Sequence, residues 1–105
     1  MHREECLRKA AECVCDKRQD EYGNPDANFA LISDMWSAYL NRSITPKDVA
    51  IMMALLKIAR IKTGTAKGDN YIDLAGYAAI AAELDLNLME PLRKEEYYDH
   101  TARSI

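Results

Sequence analysis

Two carboxylates and a phenol recur at helical spacing in the run DNYIDLAGYAAIAAEL, residues 69–84. Wound at about 100° per residue, Asp69, Asp73, Gly76, Tyr77 and Ile80 fall within about a 100° sector. Asp73 stands between Ile72 and Leu74 in a stretch otherwise suited to burial. A buried carboxylate is costly unless a partner meets it. Lys57 and Arg60, one helical turn apart in the preceding apolar segment, are the expected partners. An ion pair with either would fix the register of two helices. The same cations would also suit a phosphate. The residues themselves leave both roles open for Asp73, Lys57 and Arg60, while Tyr77 at this spacing is more often a core residue than a ligand contact.

A second polar group, Arg18, Tyr22, Asn24 and Asn28, surrounds the expected helix start at Pro25. Arg18 is suited to a bidentate phosphate contact, and the unpaired N–H groups of a helix start attract an anion. Equally, Asn24 serves as a cap and Arg18 as a solvated helix-end residue. Cys6, Cys13 and Cys15 offer less. A structural zinc needs about four ligands, and a lone C-x-C has only His2 and His100 to draw on. An odd number of cysteines crowded into one segment also argues against a disulfide framework. Small core positions are the expected role, with Cys6, Ala10 and Cys13 on one helical face.

Helices must position these groups. From about Arg3 to Arg18, the positions Cys6, Leu7, Ala10, Cys13 and Val14 recur at threes and fours, with charged residues on the other faces. A second helix follows Asn24 as N-cap and Pro25 at the first helical position, and reaches about Leu40. Its expected buried face is Phe29, Ile32, Trp36 and Tyr39 or Leu40. The third carries the clearest start, Thr45 as cap, Pro46 at the first position and Asp48 three residues after Thr45, a variant of the capping box. It runs to about Lys62, and its interior VAIMMALLKIARI is apolar on nearly every face, as in a helix surrounded by others. A loop with Gly64 and Gly68 precedes the last helix, from near Asp69 to about Leu88 or Met89, before Pro91. No stretch alternates as a strand would. The expected fold is an all-α bundle of about four principal helices, one domain over residues 1–90 followed by a charged segment over 91–105.

Alanines at 75, 78, 79, 81 and 82, with Gly76, permit close helix approach. The apolar faces exceed what a monomer of 105 residues can cover, so a homo-oligomer is expected. A net charge of −3 supplies no general attraction for nucleic acid or an anionic membrane. No apolar stretch nears the ~20 residues needed to span a bilayer, and MHREECLRKA is charged where a signal peptide turns apolar. A cytoplasmic location is expected.

In this order, RQDEYGNPDANF, WSAYL, ITPKDVAIMMALLKIAR and DNYIDLAGYAA resemble a family of small phage and prophage proteins described as MazG-like, over about residues 3 to 84. The wider superfamily consists of all-α nucleoside triphosphate pyrophosphohydrolases, helical bundles that dimerise or tetramerise. The resemblance implies Mg²⁺ held by an E-x-x-E pair on one helix and an E-x-x-D pair on the next, with pyrophosphate released from a (d)NTP to leave a (d)NMP. Metal-bound water is a competent nucleophile towards phosphorus, and Mg²⁺ prefers oxygen ligands. By this resemblance Asp73 takes the place of the aspartate in E-x-x-D. Asn70 stands where its glutamate would be, with Asp69 one residue earlier as a substitute. Lys57-x-x-Arg60 stands on the helix before it, where no E-x-x-E occurs. Asp69 and Asp73 are then the expected catalytic and metal residues, and Arg18, Tyr22, Asn28, Lys57, Arg60 and Tyr77 the expected nucleotide contacts. The alternatives are a non-catalytic nucleotide- or protein-binding helical oligomer, and a purely structural one.

Overall fold

A computed structural model describes residues 1–17, 25–64 and 68–88. Among them the chain forms four α-helices: α1 (Arg3–Ala11), α2 (Pro25–Leu40), α3 (Pro46–Lys62) and α4 (Gly68–Leu84). The described residues contain no strand, so the all-α expectation holds. Arg18, Tyr22, Asn24, Met89 and the charged segment 91–105 lie outside the described residues.

Local chemistry sets the helix boundaries. At the start of α3 both halves of the capping box form. The Asp48 N–H donates to Thr45 Oγ1 at 3.1 Å, and the Thr45 N–H donates to Asp48 Oδ2 at 2.9 Å. Two otherwise unmet donors are thereby satisfied, and Pro46 at the first turn has no N–H to satisfy. The hydrogen bond from the Thr45 N–H holds the Asp48 carboxyl below its ordinary value, against an upward push from burial. The end of α2 is a Schellman motif. Asn41 takes a left-handed conformation (φ 53°), and the Arg42 N–H reaches back to the Ser37 carbonyl at 3.1 Å. Ser37 Oγ then accepts from the Ile44 N–H at 2.8 Å, tying the turn into α3 to the helix it leaves.

Three boundaries and faces depart from the sequence expectation. The first helix is α-helical only to Ala11 and continues as a π-helix over Glu12–Lys17. The last helix, described from Gly68 and so in keeping with a start near Asp69, ends its α geometry at Leu84, short of Leu88. There the Asp85 carboxylate accepts from the Asn87 N–H at 2.9 Å, an Asx turn that competes with helix continuation, and a 3-10 turn follows over Leu86–Leu88. On α2, Phe29, Ile32 and Trp36 are half-buried as expected, but Tyr39 and Leu40 point outward at 88% and 50% exposure. Ser33 completes the covered face instead. Its hydroxyl donates to the Ala30 carbonyl at 2.8 Å, which satisfies the group without an outside partner.

The most extensive packing joins α3 to α4, with α1 against α4 and α2 against α3. Where the helices meet, Ala50, Ile80 and Ala81 form a core, with Val14, Phe29, Tyr77 and Leu84 packed on it. Four of the seven buried apolar residues are alanines, so what is buried inside one chain is mostly small. The large side chains of α3 lie elsewhere: Ile51, Met52, Leu55, Leu56 and Ile58 are 40–57% exposed. The expectation that α3 is enclosed on every side is therefore not met within a single chain.

Candidate functional site

Asp73, on the second turn of α4, is met by Lys57 of α3, with Nζ 2.8 Å from Oδ2 and side-chain exposures of 13% for Lys57 and 22% for Asp73. The most extensive helix pair in the fold thus carries a shielded ion pair across it. Lys57 reaches Asp73 from a helix position flanked by Ala54, which is buried, and Ile61, which is half-buried. The carboxylate singled out by its apolar neighbours has the partner its cost demands.

Beside this pair lies a cavity of about 10 Å³ lined by Cys13, Val14, Ile72, Asp73, Gly76, Tyr77 and Ile80. That is room for roughly one water molecule, whereas ligand pockets run to several hundred Å³. Gly76 is what lets the first helix come so close. A Cβ at position 76 would stand 3.1 Å from Val14 Cγ1. The π-helical stretch places Cys13 and Val14 over the stripe Asp73–Gly76–Tyr77–Ile80 and covers it. The apolar periodicity of the first helix signalled that Cys13 and Val14 are inward-facing, but nothing in it signalled that they face Asp73.

The other expected site residues are dispersed. Asp69 is exposed at the start of α4 and does not line the cavity, so the two carboxylates of the stripe do not share one site. Asn70 is buried. Tyr77 is half-buried, and its ring stacks on Phe29 with centroids 6.3 Å apart and planes at 28°, a core role. Arg60 is exposed and Asn28 half-buried, and both are engaged by partners of their own. Arg18 and Tyr22 lie outside the described residues.

A Mg²⁺ ion would need a cluster of oxygen ligands. Among the described residues no group of three or more His, Cys, Asp or Glu stands where it could hold a metal. Asp73 already faces an ammonium group, which opposes a cation at the same place. The described donors of one chain do not fit the ion. Among the described residues the three cysteines carry no disulfide: Cys6 and Cys13 are half-buried and Cys15 is exposed. No helix among the described residues is long and apolar enough to cross a membrane.

The chain belongs to the family described as Domain of unknown function (DUF6378), whose model matches residues 5–85. It is similar to the Gene 55 protein of Mycobacterium phage L5, 38% identical over 81 residues, covering 76% of this chain and 52% of that protein. The Gene 55 protein of Mycobacterium phage D29 is 40% identical over 75 residues, covering 71% of this chain and 50% of that protein. The chain thus spans about half the length of the curated relatives it matches. No solved structure matches the chain. The phage part of the expected resemblance is met by these relatives, and their names say nothing of nucleotide chemistry.

Proposed function

We propose that this chain is a self-associating helical module that binds a ligand or partner without turning it over. The observation that supports this reading best is the outward face of α3. Ile51, Met52, Leu55, Leu56 and Ile58 span a contiguous sector of about 160° at helical spacing, all of them 40–57% exposed. A contiguous apolar strip on a small chain marks an association surface, and a second copy laid on the same strip would cover both at once. Asp73 then has a positional role, locking the α3–α4 pair through Lys57. Sedimentation of the full chain is the test. The wild type is expected at a multiple of its 11.9 kDa mass, and Leu55→Glu is expected to shift it towards the monomer with helical content retained. A wild type that sediments as a monomer at tens of micromolar overturns the reading.

A second reading is favoured by the cations Lys57 and Arg60 on α3 and by the resemblance to MazG-like proteins. In it the chain handles nucleotides and hydrolyses a (d)NTP to a (d)NMP and pyrophosphate with Mg²⁺. By that resemblance Asp69 and Asp73 would be its metal ligands and Arg18, Tyr22, Asn28, Lys57, Arg60 and Tyr77 its substrate contacts, although within one chain Lys57 already faces Asp73 and Asp69 stands apart from it. Pyrophosphate release that needs Mg²⁺ and is abolished by Asp73→Asn, in a variant that stays folded and associated, would support it. No release from any common dNTP would remove it.

A further inference from the structure

We infer that the recess between the start of α1 and the start of α4 is a binding site for a small aromatic anion, of the size and charge of a nucleoside monophosphate. This deepens the proposed function and rests on its reading of the chain as a binding module.

Three recesses can be weighed against one another. The cavity beside Asp73, at about 10 Å³, has no space for an organic ligand. A second recess, about 350 Å³, lies between the start of α3 and the end of α4, lined by Thr45, Pro46, Lys47, Leu84, Asp85, Leu86 and Asn87. Its cation is already opposed by a carboxylate, with Lys47 Nζ 3.7 Å from Asp85 Oδ2. The third, about 560 Å³, is bounded by Met1, Arg3, Cys6, Leu7, Gly68 and Tyr71. Its volume falls within the range of small-molecule sites, and its walls follow their usual composition of apolar surface with few polar groups.

Two side chains give this recess its selectivity. Tyr71 is 46% exposed and so presents ring surface, in contrast to Tyr77, which is stacked on Phe29. Leu7 at 63% exposure supplies apolar wall on the α1 side. A flat aromatic group placed between them removes apolar surface from water and gains stacking. Arg3 is exposed and enters none of the ion pairs among the described residues. Its guanidinium fork matches a phosphate or carboxylate bidentately. Gly68 keeps the α4 wall low, since a Cβ there would stand 3.2 Å from Met1 Cε. Asp69, though exposed on the next residue, does not line the recess. An apolar slot with an exposed tyrosine and an arginine that enters none of the ion pairs among the described residues calls for a ligand with a ring and a negative charge.

Isothermal titration of the full-length chain tests this with deoxyadenosine and thymidine monophosphates, the matching nucleosides, and inorganic phosphate. The monophosphates are expected to bind at least about tenfold more tightly than either half alone, since ring and charge are both read. Tyr71→Ala and Arg3→Ala are each expected to weaken the monophosphate by at least about fivefold, with the sedimenting mass unchanged, while Lys47→Ala at the opposite recess leaves affinity as it was. Both residues are exposed enough for the variants to fold, which helical circular dichroism checks. An oligomer that binds no monophosphate, or that binds it equally in all three variants, overturns the recess alone. A wild type that sediments as a monomer yet binds through Tyr71 and Arg3 overturns the self-association and leaves the recess standing.

Discussion

Lys57 and Asp73 are the residues on which the core's polarity turns. Their contact at 2.8 Å is largely shielded from water, so removing one partner leaves the other charge poorly solvated. Asp73→Asn is expected to destabilise the fold by about 1–3 kcal/mol. The apolar double variant Lys57→Met/Asp73→Leu should cost less than its two single changes added, with an interaction of at least about 1 kcal/mol. Urea denaturation of the four proteins measures it, and strict additivity would mean that the pair sets no register. Asp48 makes a different prediction, in acid. The bond from the Thr45 N–H lowers its folded value, so the unfolded chain takes up this proton more readily. Its contribution is present above the unfolded value of about 3.9 and is lost as pH falls through the lower folded one. Between about pH 5 and 2.5 the wild type should lose more stability than Asp48→Asn, read as the shift in urea midpoint. Equal losses would show that the capping carboxylate is not what titrates.

At the scale of elements, Gly76 and the π-helical stretch Glu12–Lys17 depend on each other. An exposed helical glycine changed to alanine gains about 1 kcal/mol from backbone propensity. At position 76 the new Cβ would meet Val14 Cγ1 at 3.1 Å, and a β-branched side chain yields little at χ1. Gly76→Ala is therefore expected to be no more stable than the wild type. Against a Val14→Ala background the same change should recover most of the propensity gain. Thermal unfolding of the four chains decides it, and a full gain in the single variant would mean that Val14 does not press on α4 at Gly76. The start of α3 was legible because caps act within four residues. The π-helical stretch was not, because the spacing of Cys13 and Val14 is the same for a helix that widens there and one that does not.

For the molecule as a whole, the distribution of apolar side chains decides the behaviour. The buried apolar residues are mainly alanine, and the large side chains of α3 are outward. If these meet in a second copy, folding and association are linked, and the melting temperature rises with protein concentration. Melts from about 1 to 100 μM are expected to show that rise in the wild type and a flat response in Leu55→Glu. A concentration-independent wild type would leave the α3 face for some partner other than this chain. The sequence anticipated the excess of apolar surface, since an α3 apolar on nearly every face needs more neighbours than three other helices provide.

By itself, the sequence determined the helical class, the start at Pro46, the capping box at Thr45 and Asp48, and the need of Asp73 for a cation. Each follows from spacing within one helix or from bond-forming groups three or four residues apart. Only the tertiary structure decided that Lys57 closes on Asp73 at 2.8 Å, that Asp69 stands outside that site, that Val14 seals it against Gly76, and that the roomy recess lies at Arg3 and Tyr71. Those outcomes depend on how far each helix is rotated and slid against its neighbours. Periodicity within a helix identifies the face that turns inward and leaves open which residue of another helix it will meet.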